Sequence, residues 1–192
     1  MRMITSIEVI QALYGTWRII SWDQKSPECF DASIRAFWLS FFPAILIGPF
    51  QILYASGVYL NLANPPASLF FTTISLLEYV ILWVTYPLLV FYIVKLIKRA
   101  DNFELYIIMY NWFQLAASLL IMPLQIASAF KLIHSNTYLI AYTIILALYL
   151  VYTPFIARIS LKINTRQSYA VVGADIFLTL IIGKTIFFIL LV

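Results

Sequence analysis

The sequence predicts an all-α polytopic membrane protein: a bundle of five transmembrane helices preceded by an amphipathic interfacial helix. Composition is the first reason. Of 192 residues, 64% are hydrophobic and 10% charged, and mean hydropathy is +0.96. Soluble domains are roughly 45–50% apolar and about 25% charged, so lipid has to cover surface that a soluble fold of this length could not bury. Five stretches supply the second reason, at 36–60, 69–94, 104–128, 138–158 and 170–191. Each is apolar over the roughly 20 residues needed to cross about 30 Å of hydrocarbon at 1.5 Å per residue. The third is the absence of alternation: the runs are continuously apolar, and an open sheet cannot satisfy its edges in lipid. The chain thus divides into an N-terminal segment, 1–35, and a five-helix transmembrane domain, 36–192.

Residues 4–21 come first. Ile7, Ile10, Leu13, Tyr14 and Trp17 recur at helical spacing, with Glu8, Gln11 and Arg18 off that stripe. The pattern predicts a helix lying in the cytoplasmic interface, with Trp17 and Trp22 at headgroup level; the alternative is an irregular tail packed on the bundle. The N-terminus has a basic start, but Glu8, Gln11 and the lack of a small-residue cleavage site argue against a signal peptide. Asp31 or Ser33 is the expected N-cap of the helix that runs into the first span.

The spans are joined by NLANPPAS (61–68), KRADNFE (98–104), KLIHSNT (131–137) and KINTRQS (162–168), none of which could hold a folded domain. Basic residues set the orientation. Arg2, Arg18, Lys25 and Arg35 precede or open the first span. Lys95, Lys98 and Arg99 sit at the second connection, and Arg158, Lys162 and Arg166 at the fourth. Lys131 stands alone in the third. The positive-inside rule then puts the N-terminus in the cytoplasm and the C-terminus on the far side.

Charged and polar residues inside spans are the candidate functional positions. Glu78 in the second span and Lys184 in the fifth fall at matching depth with opposite sign, which predicts a buried ion pair clamping the two helices. By the same depth argument Asp175 pairs with Arg158 at the cytoplasmic end. Asn111 and Gln114, three apart on one face of the third span, are expected to make interhelical hydrogen bonds. Glu78, Lys184, Asn111 and Gln114 can be structural glue or can line a polar path, and Asp175 with Arg158 is expected to be an interface anchor. Pro43 and Pro49 in the first span, and Pro87, Pro123 and Pro154 in the next three, each remove a ladder hydrogen bond and predict kinks.

Catalysis is not expected. The chain has no H-E-x-x-H, Walker loop, G-x-S-x-G or dinucleotide fingerprint. His134 is its sole histidine, Cys29 its sole cysteine and Asp175 the sole aspartate within a span, so no cofactor or metal is expected. Nor is nucleic acid an expected partner; the partners are the lipid bilayer and other membrane proteins or further copies of the chain.

The stretch FDASIRAFWLSFFPAIL (30–46), where an acidic residue and an Arg precede an aromatic-rich helix, resembles the entry into the first span of the Yip family of membrane proteins. The five spans, the amphipathic segment ahead of them and the short far-side C-terminus are similar to that family's topology. The resemblance implies a compact, bacterial-type member of a family whose eukaryotic members are Rab-interacting trafficking proteins, and it assigns no site residue. The expected function is therefore non-enzymatic: a scaffold, assembly factor or accessory subunit of a membrane complex. The alternative is a small transporter or channel subunit with a polar path around Glu78. The lean connections and the absence of N-x-[ST] sequons point to a bacterial inner membrane.

Overall fold

A computed structural model describes residues 5–191; Arg2, counted above, lies outside them. Every regular element among the described residues is helical: α1 (Ser6–Ile20), α2 (Ile34–Leu39), α3 (Phe42–Tyr59), α4 (Ser68–Leu96), α5 (Phe103–Ala129), α6 (Ser135–Leu161) and α7 (Thr165–Leu191). Five helical segments are long and apolar enough to cross a membrane, with α2 and α3 together making the first.

Local chemistry explains where these helices begin. Thr5 and Glu8 form a capping box on α1: the Glu8 N–H donates to Thr5 Oγ1 at 3.3 Å, and the Thr5 N–H donates to Glu8 Oε2 at 2.8 Å. Ser33, not Asp31, caps α2, accepting from the Ala36 N–H at 3.1 Å. Asp31 holds that serine in place by accepting from its N–H and its hydroxyl. Asn164 and Gln167 bond reciprocally at the start of α7, so this helix begins five residues before the expected span.

The first span is not continuous. Helix α2 stops at Leu39 and α3 starts at Phe42, next to Pro43. Pro43 has no N–H for the Leu39 carbonyl and its ring would collide with that carbonyl, so a break replaces the expected kink. Pro49, Pro87, Pro123 and Pro154 remain inside their helices.

The helices close a ring. Helix α5 packs on α3 and α6, α6 on α7, α7 on α4, and α4 back on α3. Helix α1 lies across α5 and α6 at one end, where the Tyr152 hydroxyl donates to the Ile20 carbonyl at 2.9 Å. Its small buried face, Ala12, Gly15 and Thr16 with Ile19, meets the bundle, while Ile7, Ile10, Leu13, Tyr14 and Trp17 are exposed on the other side. An apolar stripe turned away from the bundle is the arrangement an interfacial helix requires. The segment is thus a regular, docked helix and not an irregular tail. Arg35 on α2 pins its start by an ion pair with Glu8. The Arg35 guanidinium and the Thr5 N–H hold the Glu8 carboxyl down at a pKa of about 2.

The tightest packing is at the α1 end, where Ile19, Val90, Val94, Tyr106, Ile107, Met109, Ile156 and Leu161 are wholly buried. Helix α5 is the most buried member of the ring, with 50% of its apolar stretch buried against 17–22% for the other four spans. Beyond Tyr86, Tyr110, Tyr149 and Asp175 the ring is wider and holds a cavity.

Candidate intramembrane binding site

The cavity measures about 500 Å³ and takes its walls from α3, α4, α5, α6 and α7. That volume lies within the roughly 300–1,000 Å³ usual for small-molecule sites. Most of the wall is aliphatic and aromatic, including Leu82, Trp83, Ile121, Met122 and Leu146. Its carboxylate and its two amides, Asp175, Asn111 and Gln114, gather at the end nearer α1.

Asp175 is the centre of that polar end. It lies ten residues into α7, about 15 Å along the helix. The Tyr110 hydroxyl of α5 donates to Asp175 Oδ2 at 2.8 Å, and the Tyr149 hydroxyl of α6 reaches the same oxygen at 3.3 Å. The two hydroxyls are 2.9 Å apart. Gln114 Nε2 donates to Tyr110 at 2.9 Å and to Tyr149 at 3.3 Å. Using each hydroxyl proton once, over the shortest contacts, gives a directed chain. Gln114 supplies the tyrosine oxygens, Tyr149 donates to Tyr110, and Tyr110 donates to Asp175. Tyr86 meets Tyr110 in a tilted contact with ring centroids 4.5 Å apart, and its hydroxyl bonds to that of Tyr106. Three helices thus meet at one carboxylate.

The six residues singled out from sequence divide into two groups. Asp175, Asn111 and Gln114 line the cavity. Asn111 Nδ2 donates to Ser40 Oγ at 3.0 Å, so the expected interhelical bonds of Asn111 and Gln114 run to two different neighbours, the α2–α3 break and α6. Arg158 does not pair with Asp175. It sits three residues from the end of α6, about 10 Å short of the Asp175 level, and its guanidinium lies over the Phe155 ring at 5.8 Å. Neutral tyrosines take its expected place. Glu78 and Lys184 are not in ion-pair contact either; the ion pairs within 4 Å among the described residues are Arg18–Asp23 and Arg35–Glu8. The depth match is nevertheless close, because Glu78 Oε1 lies 3.7 Å from where a Cβ on Gly183 would stand. Glu78 faces the backbone of α7, Lys184 is exposed one residue further on, and neither lines the cavity.

Tyr86, Tyr110 and Tyr149 in the cavity wall, and Tyr106 behind Tyr86, are candidate-site residues that the sequence reading missed. The signal available was the four-residue spacing of Tyr106, Tyr110 and Gln114, which puts three hydroxyl or amide groups on one face of α5. Among the described residues no three His, Cys, Asp or Glu side chains come together as a metal site requires. No family model, curated protein or solved structure matches this chain.

Proposed function

We propose that the chain is an integral membrane protein that takes a small, largely apolar molecule into the cavity of its helical ring, as a small transporter or transporter subunit. One observation carries this reading: a ring of five apolar helices that leaves about 500 Å³ of space beside a buried carboxylate, where a bundle serving only as scaffold would pack its centre. The polar path considered around Glu78 is moved by this reading to Asp175, Gln114 and Asn111. Nine basic residues among Arg18, Lys25, Arg35, Lys95, Lys98, Arg99, Arg158, Lys162 and Arg166 fall at the α1 end of the ring, which supports a cytoplasmic α1 and a far-side C-terminus. The lean connections and missing sequons support a bacterial inner membrane.

The test is purification in mild detergent from native membranes, with the particle and its contents read by native mass spectrometry. A particle built from the 22.1 kDa chain and carrying a bound small molecule, lost in Ala117→Phe, is the expected outcome. A stoichiometric complex with another membrane protein and no small molecule in the ring would return the reading to scaffold or accessory subunit.

A further inference from the structure

The chemistry of the cavity wall narrows what it takes. Among the described residues Asp175 is the one formally charged residue in that wall, and no Lys, Arg or His accompanies it. No basic group lies within ion-pair distance of it among the described residues. A charge at this depth in a bundle is expensive unless it is paired, and charged side chains within spans mark ion and substrate pathways.

The carboxylate is also only half used. Both tyrosine hydroxyls approach Oδ2, and no protein donor reaches Oδ1 among the described residues. Asp175 keeps 8% exposure and lines the cavity. Around it stand aromatic faces. Tyr86 and Tyr110 are in tilted contact, and Trp83 and Tyr149 also line the cavity. Such faces attract cations and offer nothing to anions. Apart from Asn111, Gln114, Ser118 and Thr179, the rest of the wall is aliphatic or aromatic and suits the body of a hydrophobic molecule.

We propose that the ligand is a lipophilic organic cation, an amine or quaternary ammonium with an aromatic or aliphatic body, its charge held at Asp175 Oδ1 between the rings of Tyr86, Tyr110 and Tyr149. This rests on the cavity reading above and adds the sign of the ligand's charge. Gln114 and the two tyrosines are positioning residues: their bonds hold Oδ2 and leave Oδ1 without a protein donor among the described residues. An anionic ligand is excluded because it would face Asp175 with no counter-charge.

Two probes of the same shape separate charge from fit: benzyltrimethylammonium and its neutral isostere neopentylbenzene. Each is titrated calorimetrically into the full chain in phosphatidylcholine nanodiscs, with empty nanodiscs as blank. The wild-type chain is expected to bind the cation about tenfold or more tighter than the neutral probe. Asp175→Asn is expected to abolish that preference and still bind neopentylbenzene. Equal binding of both probes to wild type overturns the cation assignment and leaves the cavity reading standing. Binding of neither probe overturns both. A preference that survives Asp175→Asn also overturns the assignment, since the charge would then be read elsewhere. Should Asp175→Asn fail to fold, the wild-type comparison decides alone. Ala117→Phe, which fills the cavity, then shows whether the binding seen is at this site, and undiminished binding of both probes in it overturns the assignment.

Discussion

Asn111 Nδ2 donates to Ser40 Oγ at 3.0 Å, tying the middle of α5 to the break between α2 and α3 across 71 residues of sequence. Both residues are buried, and Ser40 passes its own proton to the Phe37 carbonyl at 2.7 Å. Interhelical hydrogen bonds in membranes average about 0.6 kcal/mol and reach about 1.7 kcal/mol. Ser40→Ala and Asn111→Leu should each destabilise the bundle within that range. Ser40→Ala should cost more, because it strands a buried amide. The double variant should recover part of the sum. Unfolding in mixed micelles, read as a double-mutant cycle, checks this; strict additivity would mean that the bond contributes nothing.

Helix α3 offers a paired test of how closely it approaches α5. A Cβ at Gly57 would stand 2.8 Å from Ala129 Cβ and 2.9 Å from the Phe130 ring, whereas one at Gly48 would meet only Tyr79 at 3.9 Å. Gly57→Ala should therefore destabilise by about 1–3 kcal/mol through overpacking. Gly48→Ala should be neutral or stabilise by up to about 1 kcal/mol through lower backbone entropy. Adding Ala129→Gly should relieve Gly57→Ala. Equal effects at the two glycines, in the same assay, would show that proximity to α5 is irrelevant.

The spans were legible because hydropathy over 20 residues is a strong, additive signal: α4, α5, α6 and α7 each cover their expected run, and the first run is shared between α2 and α3. Their ends were less so. Polar Thr165, Arg166 and Gln167 belong to α7 although they lie outside the apolar run, and the N-x-x-Q spacing from Asn164 to Gln167 was the cue for that start. Four C-terminal turns close on Trp22, Lys98, Lys131 and Lys162 in the left-handed region, with no glycine to announce them. Pro43 was visible, but whether proline kinks or breaks a helix depends on what receives the freed carbonyl, which is a tertiary matter. Asp175 was visible too. Its partners were not, because matching opposite charges overlooks tyrosine, a residue that reads as apolar in a span and occurs 13 times here.

Docking of α1 should depend on pH through Glu8. The Arg35 guanidinium and the Thr5 N–H lower the carboxyl from its ordinary 4.5 to about 2 in the folded chain. A depressed folded pKa means the contribution is fully present above about 4.5 and is lost as pH falls towards about 2. Asp23, held down by the Lys25 N–H and by Arg18, titrates with the same sign at the other end of the helix. Amide protection across Ser6–Ile20, taken relative to the intrinsic exchange rate at each pH, should therefore fall on acidification through that window. Glu8→Gln should remove the part felt at the N-terminal turns and leave the Asp23 end as it was. Because the Arg35–Glu8 pair is exposed, salt should shrink the effect. A pH profile of the first turn that Glu8→Gln leaves unchanged would show that the pair does not hold α1.

Glu78 and Lys184 pose the remaining question of charge in the span. They share a depth but not a contact: the carboxylate sits over Gly183, where a side chain is missing, and the exposed lysine stands about 100° further round α7. Lys184 is seven residues from Leu191, about 10 Å along the helix, so its flexible stem can carry the ammonium towards the headgroups without help from Glu78. Lys184→Met should accordingly change stability by less than about 0.5 kcal/mol, and its combination with Glu78→Gln should be additive within a similar margin. Gly183→Leu should be the disruptive change, since it fills the space the carboxylate occupies. Stability by steric trapping in bicelles would measure all four variants. A coupling between Glu78→Gln and Lys184→Met above about 1 kcal/mol would instead mean that the two side chains close into a direct pair in lipid.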